Sequence, residues 1–272
     1  MILDIKKKIN SAKIELKPFP HIIIENLLPK SVLEKLNKVL PEYDDVGKKN
    51  VLFQSSSETK KTIMPDSKIF KKLLKKKIFR NVNDNFFKMK PLILKKFNEE
   101  ILENVNPQYL DSKIIYNINL GLMRKGYLKS AHLDRRDHLI SGIYYPITKI
   151  NKGGNLQLCS YSEKMQTYDV FPSKKNLKIV KNYKIKKNFC VFFLNVPWAY
   201  HAVSKYKGET DRKYFYIDYD FKLKNSGSTS QNRKKGHNQN SFWKQTFFGA
   251  GNERILVFNR NSPMSLMAPM GH

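Results

Sequence analysis

The chain has 272 residues, 40% of them apolar and 12% aromatic, enough to bury one good-sized core with at most a small appendage. No apolar run approaches the roughly 18 residues of a membrane-spanning helix, and the opening Met-Ile-Leu-Asp-Ile-Lys-Lys-Lys lacks the apolar centre of a signal peptide. The 51 basic residues outnumber the 23 acidic ones for a formal charge of +28, and the two cysteines, Cys159 and Cys190, are too few for a disulfide framework.

The charge invites a nucleic-acid or polyanion partner. The excess is nearly all lysine, however, spread along a chain also rich in Asn and Ile. Background composition accounts for it as well as a binding face does, so nucleic acid is weakly supported and no membrane partner is expected. Both cysteines fall in predicted strands and read as reduced core thiols. The expected compartment is the cytoplasm.

In chain order, residues 18–25 predict an opening strand, and 30–40 a helix with Val32, Leu33, Leu36 and Leu40 at helical spacing. Residues 41–64 are polar and turn-rich and predict a mobile loop. Two helices are expected near 66–77 and 82–105, the second carrying Phe86, Phe87, Leu92, Leu94 and Phe97. From 112 to 220 the pattern changes to about eight strands. The fold class expected is mainly β with supporting α-helices, built on a double-stranded β-helix, or jelly-roll. After Phe221 the sequence turns polar, and 223–272 reads as a linker and tail outside a 1–222 domain, with Trp243 and 255–258 apolar enough to dock. Within 1–222, residues 26–105 read as helical support and 110–221 as the jelly-roll core.

Chemistry concentrates in three residues. His132 and Asp134 form a His-x-Asp pair, and His201 follows an apolar, strand-like run, Asn188 to Asn195. A strand puts residues i and i+2 on one side, so the pair predicts two ligands from one strand, with the third supplied from elsewhere. Two imidazoles and a carboxylate occupy one face of a divalent iron and leave the other open. His-x-Asp alone is a weak signal. It gains weight from its order with Ser141-Gly-Ile-Tyr-Tyr145-Pro146, with Gly153-Gly154-Asn-Leu156, and with Arg212, 11 positions after His201 (212 − 201). His138 is a rival ligand by proximity, and its spacing from Asp134 places it in a loop. Arg212 on its own could equally be a surface ion pair with Asp211 or Glu209.

Over residues 110–220 this order resembles the 2-oxoglutarate- and Fe(II)-dependent oxygenase superfamily, nearest its prolyl-hydroxylase-like branch. The matching motifs are Gly126 ahead of His132-x-Asp134, Ile143-Tyr144-Tyr145, Gly153-Gly154-x-Leu156, and His201-x-Val203 followed by a basic residue. Met123 stands where that branch commonly has a tyrosine, and Tyr214 where it commonly has a small polar residue. The resemblance implies Fe(II) on His132, Asp134 and His201 as the catalytic and metal-binding set. It implies 2-oxoglutarate as cosubstrate, its distal carboxylate held by Arg212 with Tyr145 assisting, and O₂ as co-reactant. Guanidinium matches carboxylate through two parallel hydrogen bonds; Lys213 is the runner-up. Oxidative decarboxylation to succinate and CO₂, with ascorbate as a reductant, would then drive hydroxylation of an unactivated C–H bond, on a protein or peptide side chain. The alternatives are a free small-molecule substrate, Zn²⁺ hydrolysis at the same triad, and a basic polyanion-binding jelly-roll without oxidative activity.

Overall fold

The computed structural model describes residues 1–47, 58–135, 137–146, 152–161, 172, 174–222, 243, 246–248 and 254–256. Strands β3 (Ile114–Met123), β5 (His138–Tyr145), β8 (Phe189–Leu194) and β10 (Arg212–Phe221) form the centre of one antiparallel sheet. Strand β1 (His21–Glu25) adds to one edge of it and β2 (Lys60–Ile63) to the other, in the order β1-β8-β5-β10-β3-β2. Strands β4 (Lys129–His132), β6 (Leu156–Tyr161), β7 (Leu177–Tyr183) and β9 (His201–Val203) form the second sheet, in the order β4-β9-β6-β7.

The eight strands from β3 to β10 therefore divide into two four-stranded faces, β3-β10-β5-β8 and β4-β9-β6-β7, with the chain changing face at every step except β6 to β7. That is the strand order of a jelly-roll, and it carries the fold assignment without reference to any other protein.

The large sheet has two distinct faces because side chains alternate along a strand. On β10, Phe215, Ile217 and Tyr219 point to the helices. Phe215 packs edge-on against Phe86, 5.8 Å between ring centroids, and lies 6.0 Å from Phe79. Both phenylalanines belong to α4 (Lys77–Lys96), which buries Phe79, Val82, Phe86, Met89 and Ile93 along one stripe. Helix α1 (Ile2–Ser11) packs on α4 and buries Ile5 and Ile9. The other face of β10 presents Arg212, Tyr214, Tyr216 and Asp218 to the space between the sheets, and this is the functional face.

Several expectations need correction. Helix α1 was not anticipated. The expected helix 30–40 is α2 (Lys30–Asn37), and the one near 66–77 is α3 (Lys68–Leu74). The expected helix 82–105 begins earlier and divides at Phe97 into α4 and α5 (Asn98–Asn104). The stretch 41–64 is not all loop, because Lys60–Ile63 pairs with β3; residues 48–57 lie outside the described residues. Most of the predicted linker, 223–242, also lies outside them. Trp243 is buried in the core and makes a β-bridge with Val105. Strands β11 (Thr246–Phe248) and β12 (Arg254–Leu256) pair with each other. Among the described residues, no helix is long and apolar enough to cross a membrane.

Candidate active site

The fold brings His132, Asp134 and His201 together, with one potential ligand atom from each inside a 4.8 Å cluster. His132 ends β4 and His201 begins β9, and the two face each other across that strand pair. Their rings lie 4.3 Å apart. Asp134 is not on the strand, as the i, i+2 argument had it; β4 ends at His132 and Asp134 lies in the loop that follows. A different device aims it. The Ser141 hydroxyl, from the inner face of β5, donates to Asp134 Oδ2 at 2.9 Å. Oδ1 is then left 3.7 Å from His132 Nε2 and 3.5 Å from His201 Nε2.

Both imidazoles are oriented alike. His132 Nδ1 lies 2.9 Å from the Ser130 carbonyl and His201 Nδ1 3.0 Å from the Ala199 carbonyl. An Nδ1–H donating to each carbonyl leaves both Nε2 lone pairs pointing at the same space. Burial, then the neighbouring His201, pushes the His132 pKa down to about 3. Burial alone would raise Asp134, but His201 and His132 outweigh it and hold its carboxyl below the usual range. Burial would likewise lower His201, but Asp134 raises it above its ordinary value. The cluster is thus one carboxylate facing two imidazoles, and a divalent cation would take the place of any proton shared among them.

The donor set fits a metal. A cation about 2.1 Å from two imidazole nitrogens and one carboxylate oxygen, at right angles, sets those atoms about 3 Å apart. The observed 3.5 and 3.7 Å separations reach that with small rotations of the side chains. His138 is not part of the cluster. It is the first residue of β5, not a loop residue, and its Nδ1 lies 2.5 Å from Asp220 Oδ1.

Arg212 is fully buried at the start of β10. Neither surface ion pair suggested by the sequence forms: Asp211 lies 3.7 Å from Arg124, and Glu209 pairs with Lys125. Lys213 points the other way, to Glu42 and the Leu40 carbonyl. The Arg212 guanidinium instead donates from Nη1 to the Gly154 carbonyl at 2.6 Å and from Nη2 to the Gly153 carbonyl at 2.9 Å. Its carbon lies 4.4 Å from the centroid of the Tyr206 ring. Among the described residues it forms no ion pair with a carboxylate, and its buried Nε finds no hydrogen-bond partner. Burial pulls its pKa below the ordinary guanidinium value, with Tyr145 and Tyr206 acting the other way.

A buried guanidinium with an orphaned donor and no acidic partner suits a carboxylate ligand. The Gly153-Gly154 turn is its cradle. Gly154 sits at φ +64°, and a Cβ there would lie 2.5 Å from Arg212 Nη1. Tyr145 shares this end of the cavity, 6.0 Å ring to ring from Tyr214. The two residues that depart from the family pattern also meet here. Met123 pairs with Arg212, and Tyr214 pairs with Gly121. A Cβ on Gly121 would lie 2.1 Å from the Tyr214 ring, so the glycine admits the bulky tyrosine.

Several solved structures share this architecture. A prolyl-4-hydroxylase from Pseudomonas putida is 14% identical, over 82% of this chain and 100% of that one, with a TM-score of 0.47. A prolyl hydroxylase from Trichoplax adhaerens, solved with a hypoxia inducible factor peptide fragment, is 15% identical over 81% and 92%, with a TM-score of 0.48. A 2OG-Fe(II) oxygenase family protein from Burkholderia pseudomallei is 10% identical over 81% and 90%, with a TM-score of 0.43. No family model matches the sequence, and no curated protein does. At TM-scores below 0.5 and identities of 15% or less these likenesses add nothing to the jelly-roll strand order itself. What this jelly-roll does must be read from its own side chains.

Ser141 and Tyr206 were missed as functional residues. Strand parity put Ser141 on the face of Tyr145 but gave it no task, because its partner, Asp134, is set by a loop. Tyr206 carries no sequence signal beyond lying between His201 and Arg212.

Proposed function

We propose that the chain is a 2-oxoglutarate- and Fe(II)-dependent dioxygenase that hydroxylates an unactivated C–H bond, on a protein or peptide side chain. The observation that carries this is a pair of features in one barrel. The His132–Asp134–His201 triad gathers two Nε2 lone pairs and one carboxylate oxygen. On the same inner surface lies the buried, acid-free Arg212.

Fe(II) would be held by His132, Asp134 and His201; with 2-oxoglutarate as the co-reductant it would activate O₂, the oxidant for C–H hydroxylation. The protein's part is to hold and orient. Ser141 fixes the rotation of the Asp134 carboxylate. The Ser130 and Ala199 carbonyls fix the imidazole tautomers. Arg212, on its glycine cradle, would hold the distal carboxylate of the cosubstrate, with Tyr145 beside it. The rings of Tyr214 and Phe189, 6.0 and 6.4 Å from that of Tyr145, would shield this end of the site from water. A Zn²⁺ hydrolase at the same triad has no use for a second, buried carboxylate clamp.

The peptide substrate rests on the motif resemblance and on the +28 charge, which draws acidic chains by long-range attraction. The compartment we assign is the cytoplasm, which supplies both Fe(II) and 2-oxoglutarate. The test is succinate release from 2-oxoglutarate with Fe(II) and ascorbate. The intact chain is expected to turn over 2-oxoglutarate, and the double variant His132→Ala/His201→Ala to lose that turnover while keeping its circular dichroism spectrum. Undiminished turnover in the double variant would refute the reading.

A further inference from the structure

Strand β2 brings to the cavity a charge that neither the triad nor the Arg212 pocket uses. Lys60 pairs with Met123, and Met123 pairs with Arg212. Residues directly opposite in an antiparallel ladder share a face, so Lys60 and Arg212 both belong to the inner face, two strands apart. Lys61 turns outward, to the Tyr43 and Val46 carbonyls.

The half-buried Lys60 ammonium lies 5.4 Å from the Tyr216 ring and 5.9 Å from the Tyr127 ring. Among the described residues these are its only hydrogen-bond, ion-pair or ring contacts. Asn119, opposite Tyr216 on β3, adds an amide to the same surface. Burial, then the like charge of Lys129, pushes the Lys60 pKa down to about 8, against the attraction of Asp134.

Asp134 is not free to neutralise it once the metal is bound. A divalent iron, one ligand carboxylate, a dianionic 2-oxo acid and one guanidinium would sum to zero, and Asp218, the other carboxylate on the inner face of β10, faces the His138 cation. The Lys60 charge is left over, in a site where charges lose the shielding of bulk water.

We propose that the primary substrate carries a carboxylate and that Lys60, between Tyr127 and Tyr216, binds it. This rests on the oxygenase reading above. It narrows the substrate to a free carboxylic acid or an acidic peptide and excludes a neutral internal residue with no acidic neighbour.

The test uses the full chain with Fe(II) and 2-oxoglutarate and four probes: a mixture of free L-amino acids, the same mixture as amides, an acidic peptide library, and its Asn/Gln counterpart. Binding is read anaerobically by thermal shift, and coupling by succinate release in air. One acid arm is expected to raise the melting temperature and speed succinate release while its uncharged counterpart does neither; which arm responds tells a small acid from a peptide. Lys60→Gln should weaken that response about tenfold or more, and Lys60→Arg should restore part of it, while the affinity for 2-oxoglutarate holds. Equal responses to acid and amide, silence in both acid arms, or a Lys60→Gln loss confined to 2-oxoglutarate overturns the proposal. If the intact chain fails to bind 2-oxoglutarate at all, the oxygenase reading has failed and this proposal with it.

Discussion

Ser141 and Asp134 are joined by a 2.9 Å hydrogen bond that decides which carboxylate oxygen faces the imidazoles. Ser141 is buried on β5, directly across from Asp218 on β10. The central sheet, rather than β4, therefore aims the third candidate ligand. Removing such a partner typically costs about 10- to 100-fold in metal affinity. Ser141→Ala is expected to weaken Fe(II) or Mn(II) binding by that factor with the fold intact. Isothermal titration with Mn(II) measures it, and unchanged affinity would mean the loop alone positions Asp134.

The Arg212 pocket gives a second expectation. Arg212→Ala should cost on the order of 2–5 kcal/mol of 2-oxoglutarate binding, as truncating one partner of a buried charge pair does, and should barely affect the metal. Gly154→Ala should imitate it without touching the guanidinium. Its Cβ would press on Arg212 Nη1, and φ +64° strains any L side chain by about 1–2 kcal/mol. Separate titrations of metal and 2-oxoglutarate distinguish the two losses. Equal losses of both ligands would place the anchor elsewhere.

The His138–Asp220 pair predicts a pH dependence. Burial would lower the His138 pKa, but Asp218 and Asp220 outweigh it and bring it to about 9 from an ordinary 6.5, with Asp134 contributing the same way. Arg135 is the cation that shares Asp220, 3.9 Å away. Folding raises this group's pKa, so its contribution is full below about 6.5 and is lost as the pH rises through about 9. Urea unfolding of the wild type and His138→Gln should show a stability gap at pH 6 that closes by pH 10. A gap that widens with pH would contradict the assignment.

Trp243 concerns the boundary near residue 222. It is buried against the core, bridged to Val105, with its carbonyl accepting from Asn106 Nδ2 at 3.1 Å. Truncating a buried tryptophan costs about 3–5 kcal/mol. Trp243→Ala should lower the melting temperature while leaving metal affinity unchanged, because the contacts that hold it are with Val105 and Asn106, at the end of the helical support. A loss of metal binding at permissive temperature would make the tail part of the metal core.

Much of this site was legible before any coordinates. The distal histidine follows a strand-length apolar run and Arg212 opens an aromatic one, and period-two alternation told inward from outward residues. What escaped was tertiary. Strand β2 reads Lys-Lys-Thr-Ile, with one apolar residue, and becomes a strand only because β3 offers an edge to pair with. Helix α1 hides Ile5 and Ile9 around a run of three lysines, and α4 supplies the surface that buries them. The i, i+2 rule united His132 and Asp134 for a reason that is only partly right, since Asp134 lies beyond the strand and is held by Ser141.

The most direct measurement is an anaerobic titration of the full chain with Fe(II) and 2-oxoglutarate, followed by visible absorption. The account predicts a charge-transfer band that appears only when both are present, saturates at one iron per chain, and disappears in Asp134→Ala and His201→Ala. A wild-type protein that binds both ligands without the band, or a band that survives the loss of His201, would contradict it.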